Sequence, residues 1–132
     1  MNGRRPLVLV VDDDEDFRAQ LRAQLEAAGY EVAAADGEAA ADALLAGTRP
    51  DLAIVDLMME HPDGGFALSY RLKKRYPEVP VIMVTGVTHE TGLDFATTTA
   101  ADRAWIKADA MLVKPVRFEQ LRRELERLLP QE

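Results

Sequence analysis

Short apolar segments alternate with segments of helical period along this chain. The first, third and fourth apolar segments are almost purely aliphatic, which is typical of parallel strands that are covered on both faces. Repeated alternation of strands and helices predicts right-handed crossovers and an α/β fold built on a parallel sheet. The five predicted strands are Leu7–Val11, Glu31–Ala35, Leu52–Val55, Val81–Val84 and Ala110–Val113.

Four helices are predicted from the apolar periodicity. In the first, Phe17, Leu21 and Leu25 recur every four residues, and Gly29 follows as a stop signal. The segment Thr88–Lys107 is less clear, because it is long, threonine-rich and interrupted by a glycine. The other three predicted helices are Glu38–Ala46, Phe66–Tyr76 and Phe118–Leu128.

Composition limits the classes of function. The 132 residues suit one compact domain, 1–132, and a chain with 48% hydrophobic residues can form a sizeable core. The formal charge of −7, without a basic block, disfavours direct binding to nucleic acid or to an anionic membrane surface. There is no cysteine, which excludes disulfides and thiol chemistry. The early apolar run Leu7–Val11 is too short for a signal sequence or a membrane span, so we expect a cytoplasmic protein.

Four of the predicted strands end in side chains that can bind ions or donate hydrogen bonds. In open α/β sheets, ligands bind beyond the carboxyl ends of the strands. Three carboxylates that converge there would form a site for a hard divalent cation, with one carboxylate left as a nucleophile. These residues are Asp12 and Asp13 after the first strand, Asp56 after the third, Thr85 after the fourth and Lys114 after the fifth.

Each of these residues also has a purely structural interpretation. One aspartate of the acidic run Asp12–Asp16 could cap the following helix, and the others could interact with its positive end. Asp56 could be a turn residue, Thr85 an ordinary strand-end threonine, and Lys114 a solvated lysine in a loop. Taken together, however, these interpretations must explain polar residues at the ends of four different strands, which favours a shared site.

Four motifs occur in order over nearly the whole chain, namely Val10–Asp13, Ile54–Met59, Val81–Gly86 and Leu112–Pro115. Together they resemble the receiver domain of two-component response regulators. The resemblance implies a flavodoxin-like, doubly wound fold with a five-stranded parallel sheet in the order 2-1-3-4-5 and helices on both faces.

The resemblance also implies a function, a phosphorylation-controlled signalling switch. Asp56 would accept a phosphoryl group from a sensor histidine kinase or a phosphotransfer protein. Mg²⁺ would be held directly by Asp13 and Asp56, through water by Asp12, and by the backbone carbonyl of Met58. Lys114 would offset charge on the phosphoryl oxygens, and the Thr85 hydroxyl would turn towards the new phosphoryl group.

A protein of this kind catalyses its own phosphotransfer and dephosphorylation but is not an enzyme in the metabolic sense. The resemblance implies a downstream protein partner that the sequence does not identify. It also allows a homodimer through the face formed by the helix expected within Thr88–Lys107, the fifth strand and the C-terminal helix.

The chain departs from the family pattern in four places. Glu60 replaces a proline, and the loop that follows carries His61, which we interpret as a solvated loop residue. Extra length falls in Asp94–Lys107, which contains the only tryptophan, Trp105. Met111 stands where the family has an aromatic switch residue, so coupling of an aromatic rotamer to the threonine is not expected. Lys107, the fourth departure, occupies a position where glycine is common.

Two other functions compete with a phosphorylated switch. The first is a phosphorylation-independent interaction module on the receiver fold, which the unusual segment before the fifth strand favours and the intact acidic set opposes. The second is a flavin or nucleotide binder. No glycine-rich loop follows the first strand, and the acids Asp12–Asp16 would repel phosphates there, so this function ranks last.

Overall fold

The computed structural model describes residues 5–57, 64–86, 109–114 and 116–129. They form a five-stranded parallel sheet with the strand order β2-β1-β3-β4-β5, which confirms the predicted fold class. The strands are β1 (Leu7–Val11), β2 (Glu31–Ala35), β3 (Leu52–Asp56), β4 (Val81–Gly86) and β5 (Ala110–Lys114). The described helices are α1 (Glu15–Ala27), α2 (Glu38–Gly47), α3 (Gly64–Arg75) and α4 (Phe118–Leu128), the last being the predicted C-terminal helix.

Two apolar layers cover the sheet, one on each face. On one face, α1 and α4 bury leucines against β-strand residues, including Leu25 and Leu121, both fully buried. On the other face, α2 and α3 do the same with Leu45 and Leu68. Burial of each such side chain contributes about 1.5–3 kcal/mol. Because helices cover both faces, the central strands have no solvent-facing side and are apolar up to their carboxyl ends, as the sequence predicts.

Three strands extend one or two residues beyond their predicted ends. β3 includes Asp56, β4 includes Thr85 and Gly86, and β5 includes Lys114. The ladder pairs Asp56 with Val84 and Gly86 with Lys114. The polar residues therefore stand on hydrogen-bonded strand ends rather than in loops, because the ladder continues one step past the aliphatic run.

In the described part of the chain, no helix combines the length and the apolar character needed to cross a membrane.

Gly29 ends α1 in a left-handed backbone conformation, with φ of 99°. Its N–H donates to the Glu26 carbonyl at 3.1 Å, and the next N–H, of Tyr30, donates to Leu25 at 3.0 Å. We expect Gly29→Ala to lower the free energy of unfolding by about 1 kcal/mol, because a Cβ disfavours this conformation. Urea denaturation measures the change.

Gly47→Ala is the matched control for that substitution. Gly47 is the last residue of α2, its φ is not positive, and a Cβ there meets no atom within 4 Å. Alanine should therefore be neutral or stabilise by about 0.5–1 kcal/mol. Equal effects of the two substitutions would contradict a specific role of Gly29 in ending the helix.

Candidate functional site

Asp12, Asp13 and Asp56 form an acidic cluster at the carboxyl edge of the sheet. One carboxylate oxygen from each lies within 4.8 Å of those of the other two. Asp12 is 1% exposed and Asp56 6% exposed, whereas Asp13 faces solvent. Two of the three acids are therefore held out of water beside one another, a costly arrangement unless a cation is bound.

Strand pairing brings the acidic cluster together. β1 and β3 are neighbours and pair Val11 with Val55, so the residues that follow, Asp12 and Asp56, emerge side by side. The N–H of Asp12 also donates to the Ala35 carbonyl at 3.1 Å, which continues the β1–β2 ladder. The backbone that carries Asp12 is thus held on both sides.

The helix cap is provided by another aspartate, Asp14. Its Oδ1 accepts hydrogen bonds from the N–H groups of Asp16 at 3.0 Å and Phe17 at 3.2 Å. Asp12 Oδ1 accepts one from the Asp14 N–H at 2.8 Å. The capping interpretation of the acidic run is therefore correct for Asp14 alone, and helix capping does not account for Asp12 and Asp13.

Lys114 supplies positive charge to the acidic cluster from the end of β5. Its Nζ lies 2.9 Å from Asp12 Oδ2 and 3.7 Å from Asp56 Oδ2. β4 stands between β3 and β5, so the lysine side chain reaches across the end of a strand to meet these acids. The interpretation of Lys114 as a solvated loop residue is therefore wrong.

The charge of Lys114 is secured by its surroundings. Burial lowers the pKa of the ammonium, but the close ion pair with Asp12 and the negative charges of Asp56 and Asp14 outweigh it and leave the pKa above its ordinary value. A raised lysine pKa means that the ion pair contributes fully at neutral pH. Its contribution is lost only as the pH rises through the folded-state pKa, which lies above the ordinary value for lysine.

Thr85 is buried near the carboxyl end of β4, with 3% of its surface exposed. It lies one residue beyond Val84, the ladder partner of Asp56. Its Oγ1 donates to the Gly86 carbonyl at 3.3 Å, a bond that a hydroxyl can exchange for another by rotation about χ1. The structure thus places the threonine at the predicted edge of the sheet.

Several predicted positions lie outside the described residues. They include Met58 as a metal ligand, Glu60, His61, Trp105 and the segment Asp94–Lys107. Met111 is described, and it is a partly buried residue packed against the core on the face covered by α2 and α3.

Two neighbours of the acidic cluster were not predicted as site residues. Arg18 of α1 donates from its guanidinium to the Asp12 carbonyl at 2.7 Å. The ring of Phe17 lies under Lys114, with Nζ 4.4 Å from the ring centroid. In the sequence, Phe17 is indistinguishable from a core residue, because it begins an apolar stripe of period four.

The donor set of the acidic cluster fits a hard divalent cation such as Mg²⁺. Carboxylate oxygens are the ligands that such an ion prefers, and three of them are within reach of one another. Asp12 Oδ2 is buried and has no hydrogen bond of good geometry within the described residues, the Lys114 ammonium being its near neighbour. An oxygen in that position could accept a hydrogen bond from a water molecule of the metal's hydration shell.

Asp13→Asn should separate metal binding from folding. We expect Mg²⁺ affinity to fall at least about tenfold, because a charged oxygen ligand is lost. Stability without metal should stay the same or rise by less than about 1 kcal/mol, since repulsion within the acidic cluster is relieved. Isothermal titration with Mg²⁺ and urea denaturation in EDTA measure the two quantities.

Asp16→Asn is the control for Asp13→Asn, since Asp16 lies in the first turn of α1 but outside the acidic cluster. It should leave Mg²⁺ affinity nearly unchanged and lower stability slightly, through the helix dipole. An Asp13→Asn protein that loses stability in EDTA as Asp16→Asn does would assign Asp13 to the helix instead of a metal site.

Comparisons with known proteins agree with this geometry. Residues 8–126 match the family model described as the response regulator receiver domain. The chain is 34% identical over 127 residues to the response regulator MprA of Mycolicibacterium vanbaalenii, covering 92% of this chain and 49% of that protein. The chain thus spans about half the length of this curated relative.

Two solved structures have a fold similar to that of this chain. The chemotaxis protein CheY4 of Vibrio cholerae superposes with a TM-score of 0.79 at 27% identity. The match covers 96% of this chain and 100% of CheY4. The response regulator TrrA of Thermotoga maritima, solved in complex with Mg²⁺-BeF, has a TM-score of 0.77 at 26% identity, with 94% and 99% covered.

Proposed function

The chain belongs to the response regulator receiver domain family of two-component signalling, and from this membership we propose that Asp56 accepts a phosphoryl group from a histidine kinase or a phosphotransfer protein. One observation carries the assignment to this residue. Asp56 is a buried carboxylate with a second buried acid, Asp12, and an ammonium group, Lys114, in contact range. The residues 1–132 would act as one receiver unit.

The proposed step is a phosphoryl transfer between a donor and a carboxylate. An oxygen of Asp56 attacks phosphorus as the bond from phosphorus to the histidine nitrogen of the donor breaks, and the nitrogen keeps the electron pair. The product is an acyl phosphate on Asp56. Hydrolysis by water at the same phosphorus would return the carboxylate, so the domain would catalyse both gain and loss of the group.

Lys114 and the acidic cluster have complementary roles in this step. The Lys114 ammonium, already 3.7 Å from Asp56, would balance the charge that accumulates on the phosphoryl oxygens. Mg²⁺ held by Asp12, Asp13 and Asp56, with the Met58 carbonyl as a further ligand, would supply the remaining positive charge. With the metal present, Asp12 would share its negative charge between the metal and the Lys114 ammonium, which also lies within reach of Asp56.

Thr85 is the residue we propose for the conformational response. Its hydroxyl would leave the Gly86 carbonyl and donate to a phosphoryl oxygen on Asp56. Because Thr85 is buried, its movement would open space that neighbouring side chains must fill, and this would change the surface beside β5. The ladder partner of Thr85 on β5 is Val113, and Met111, two residues before it, is a partly buried residue on the same strand.

The downstream target of the switch is a separate part of the proposal. Among the matched relatives is a protein named the DNA-binding dual master transcriptional regulator RpaA of Synechocystis, of which the chain covers 34%. We propose that the present residues act in the cytoplasm and reach their target through a protein partner or a copy of themselves, with no direct nucleic-acid contact from this acidic domain.

Phosphodonor labelling tests the proposed function. With acetyl phosphate and Mg²⁺, intact mass spectrometry should show the gain of one phosphoryl group, which EDTA prevents and hydroxylamine removes, since hydroxylamine cleaves acyl phosphates. A chain that gains no mass under these conditions, while binding Mg²⁺, would instead support a phosphorylation-independent interaction module.

A further inference from the structure

We infer that Phe17 is a positioning residue for phosphoryl transfer, acting through the Lys114 ammonium. The inference rests on the proposed function and extends it to a residue outside the acidic cluster. It starts from the ring contact, in which Nζ lies 4.4 Å from the centroid of Phe17, well within the range of about 6 Å for a cation–π interaction.

The ammonium group is enclosed between two kinds of partner. Carboxylate oxygens of Asp12 and Asp56 lie at 2.9 Å and 3.7 Å, and the aromatic face of Phe17 is a third neighbour. The Lys114 side chain keeps 26% of its surface exposed. The ring therefore occupies a position that water would otherwise fill, which strengthens the attraction between the ammonium and the acids.

Phe17 is itself well held. Its backbone N–H is capped by Asp14 Oδ1 at 3.2 Å, so the residue lies in the first turn of α1. Its side chain packs against the core on the face covered by α1 and α4. A ring fixed by a helix start and by the core is a rigid platform, whereas the lysine that it contacts is a long, flexible side chain.

The platform suits the movement that the reaction requires. In the structure, the ammonium lies closer to Asp12 than to Asp56, since the two distances are 2.9 Å and 3.7 Å. During transfer it must follow the phosphoryl oxygens on Asp56. A cation over an aromatic face keeps its attraction while it shifts sideways, because the ring presents negative potential over its whole face. Phe17 thus restricts Lys114 to the path between the two acids.

Three variants separate this role from simple packing. Phe17→Leu keeps an apolar side chain but removes the aromatic face, and Phe17→Tyr keeps the face. Phe118→Leu is the matched control, because Phe118 also lies in the first turn of a helix and packs against the same core, but has no ring–cation contact in the described part of the chain. Each is compared with wild type for the rate of phosphorylation by acetyl phosphate at saturating Mg²⁺.

We expect Phe17→Leu to slow phosphorylation about threefold to tenfold, the range that corresponds to a cation–π contact of this exposure. Phe17→Tyr and Phe118→Leu should both keep the wild-type rate of phosphorylation. In a Lys114→Met background, Phe17→Leu should have no further effect, because the contact through which it acts is gone. Equal slowing by Phe17→Leu in both backgrounds would overturn the inference.

Proton NMR gives a readout that does not depend on phosphorylation. The ring should shift the Lys114 Hε signals upfield in wild type and Phe17→Tyr, and the shift should vanish in Phe17→Leu. Absence of the shift from wild type would overturn the inference, as would a wild-type rate in Phe17→Leu. If wild type itself gains no phosphoryl group, the proposed function fails, and the role of Phe17 in it fails too.

Discussion

The Asp56→Asn variant should gain no phosphoryl group at the main site when treated with acetyl phosphate and Mg²⁺. An amide is neutral, so it lacks the negatively charged nucleophilic oxygen that the proposed reaction uses. Its Mg²⁺ affinity should also fall, because one of the three clustered carboxylates is lost. Intact mass spectrometry and Mg²⁺ titration measure the two effects.

The fold should survive this substitution. An asparagine side chain would keep the size and shape of the natural aspartate, and the β3 ladder uses only the backbone of this position. Far-ultraviolet circular dichroism and urea denaturation should therefore show a folded protein with a stability within about 1 kcal/mol of wild type.

Asp36→Asn is the matched control for Asp56→Asn. Asp36 directly follows β2, so it lies at the same edge of the sheet, but it is exposed and outside the acidic cluster. The control variant should be phosphorylated at the wild-type rate. Equal labelling of Asp56→Asn and Asp36→Asn would remove Asp56 from the role of acceptor.

Lys114→Met should slow phosphorylation by about a hundredfold. The ammonium is the described cation nearest to Asp56, and loss of one preorganised charge beside a developing negative charge typically costs a factor of this order. Mg²⁺ affinity should rise roughly fivefold, since a positive charge near the carboxylates opposes the metal by about 1 kcal/mol even in a solvent-like dielectric. The rate and the affinity are expected to change in opposite directions.

The same substitution should destabilise the protein without metal. Asp12 is 1% exposed and would lose the ammonium that lies 2.9 Å away, and we expect this loss of a buried partner to lower the free energy of unfolding by about 1–3 kcal/mol. Added Mg²⁺ should recover much of that loss, because a ligand that binds only the folded state stabilises it. Thermal unfolding with and without Mg²⁺ measures this recovery.

Lys74→Met controls for the loss of a lysine. Lys74 is exposed on α3, and the substitution should change neither the rate nor the response to Mg²⁺. A Lys114→Met protein that phosphorylates at the wild-type rate would contradict the role of the ammonium in charge balance.

Much of the fold could be predicted because aliphatic runs and helical periods report burial directly. All five strands and the four helices outside Thr88–Lys107 occur where they were predicted, apart from one or two residues at their ends. The ends differ because a strand stops where its hydrogen-bonded neighbour stops, and that neighbour is distant in sequence. Asp56 and Lys114 are therefore ladder residues, although the apolar pattern ends before them.

The division of labour within Asp12–Asp16 could not be predicted. Four of the five residues in that run are aspartates, and an aspartate at any of these positions is a favoured residue type for the cap of α1. The cap requires an extended backbone at the residue before the helix, and Asp14 has it, with φ of −86° and ψ of 109°. That conformation depends on how β1 leaves the sheet, and it frees Asp12 and Asp13 for the acidic cluster.

The sequence by itself determined which residue types stand at the carboxyl ends of the strands, because parallel strands with short turns all finish at one edge. It placed acids, a hydroxyl and an amine there without defining their distances. Only the tertiary structure decided that Lys114 reaches over β4 to Asp12 and that Phe17 lies beneath its ammonium. Such contacts depend on strand order and side-chain reach, which bring together residues from opposite ends of the chain.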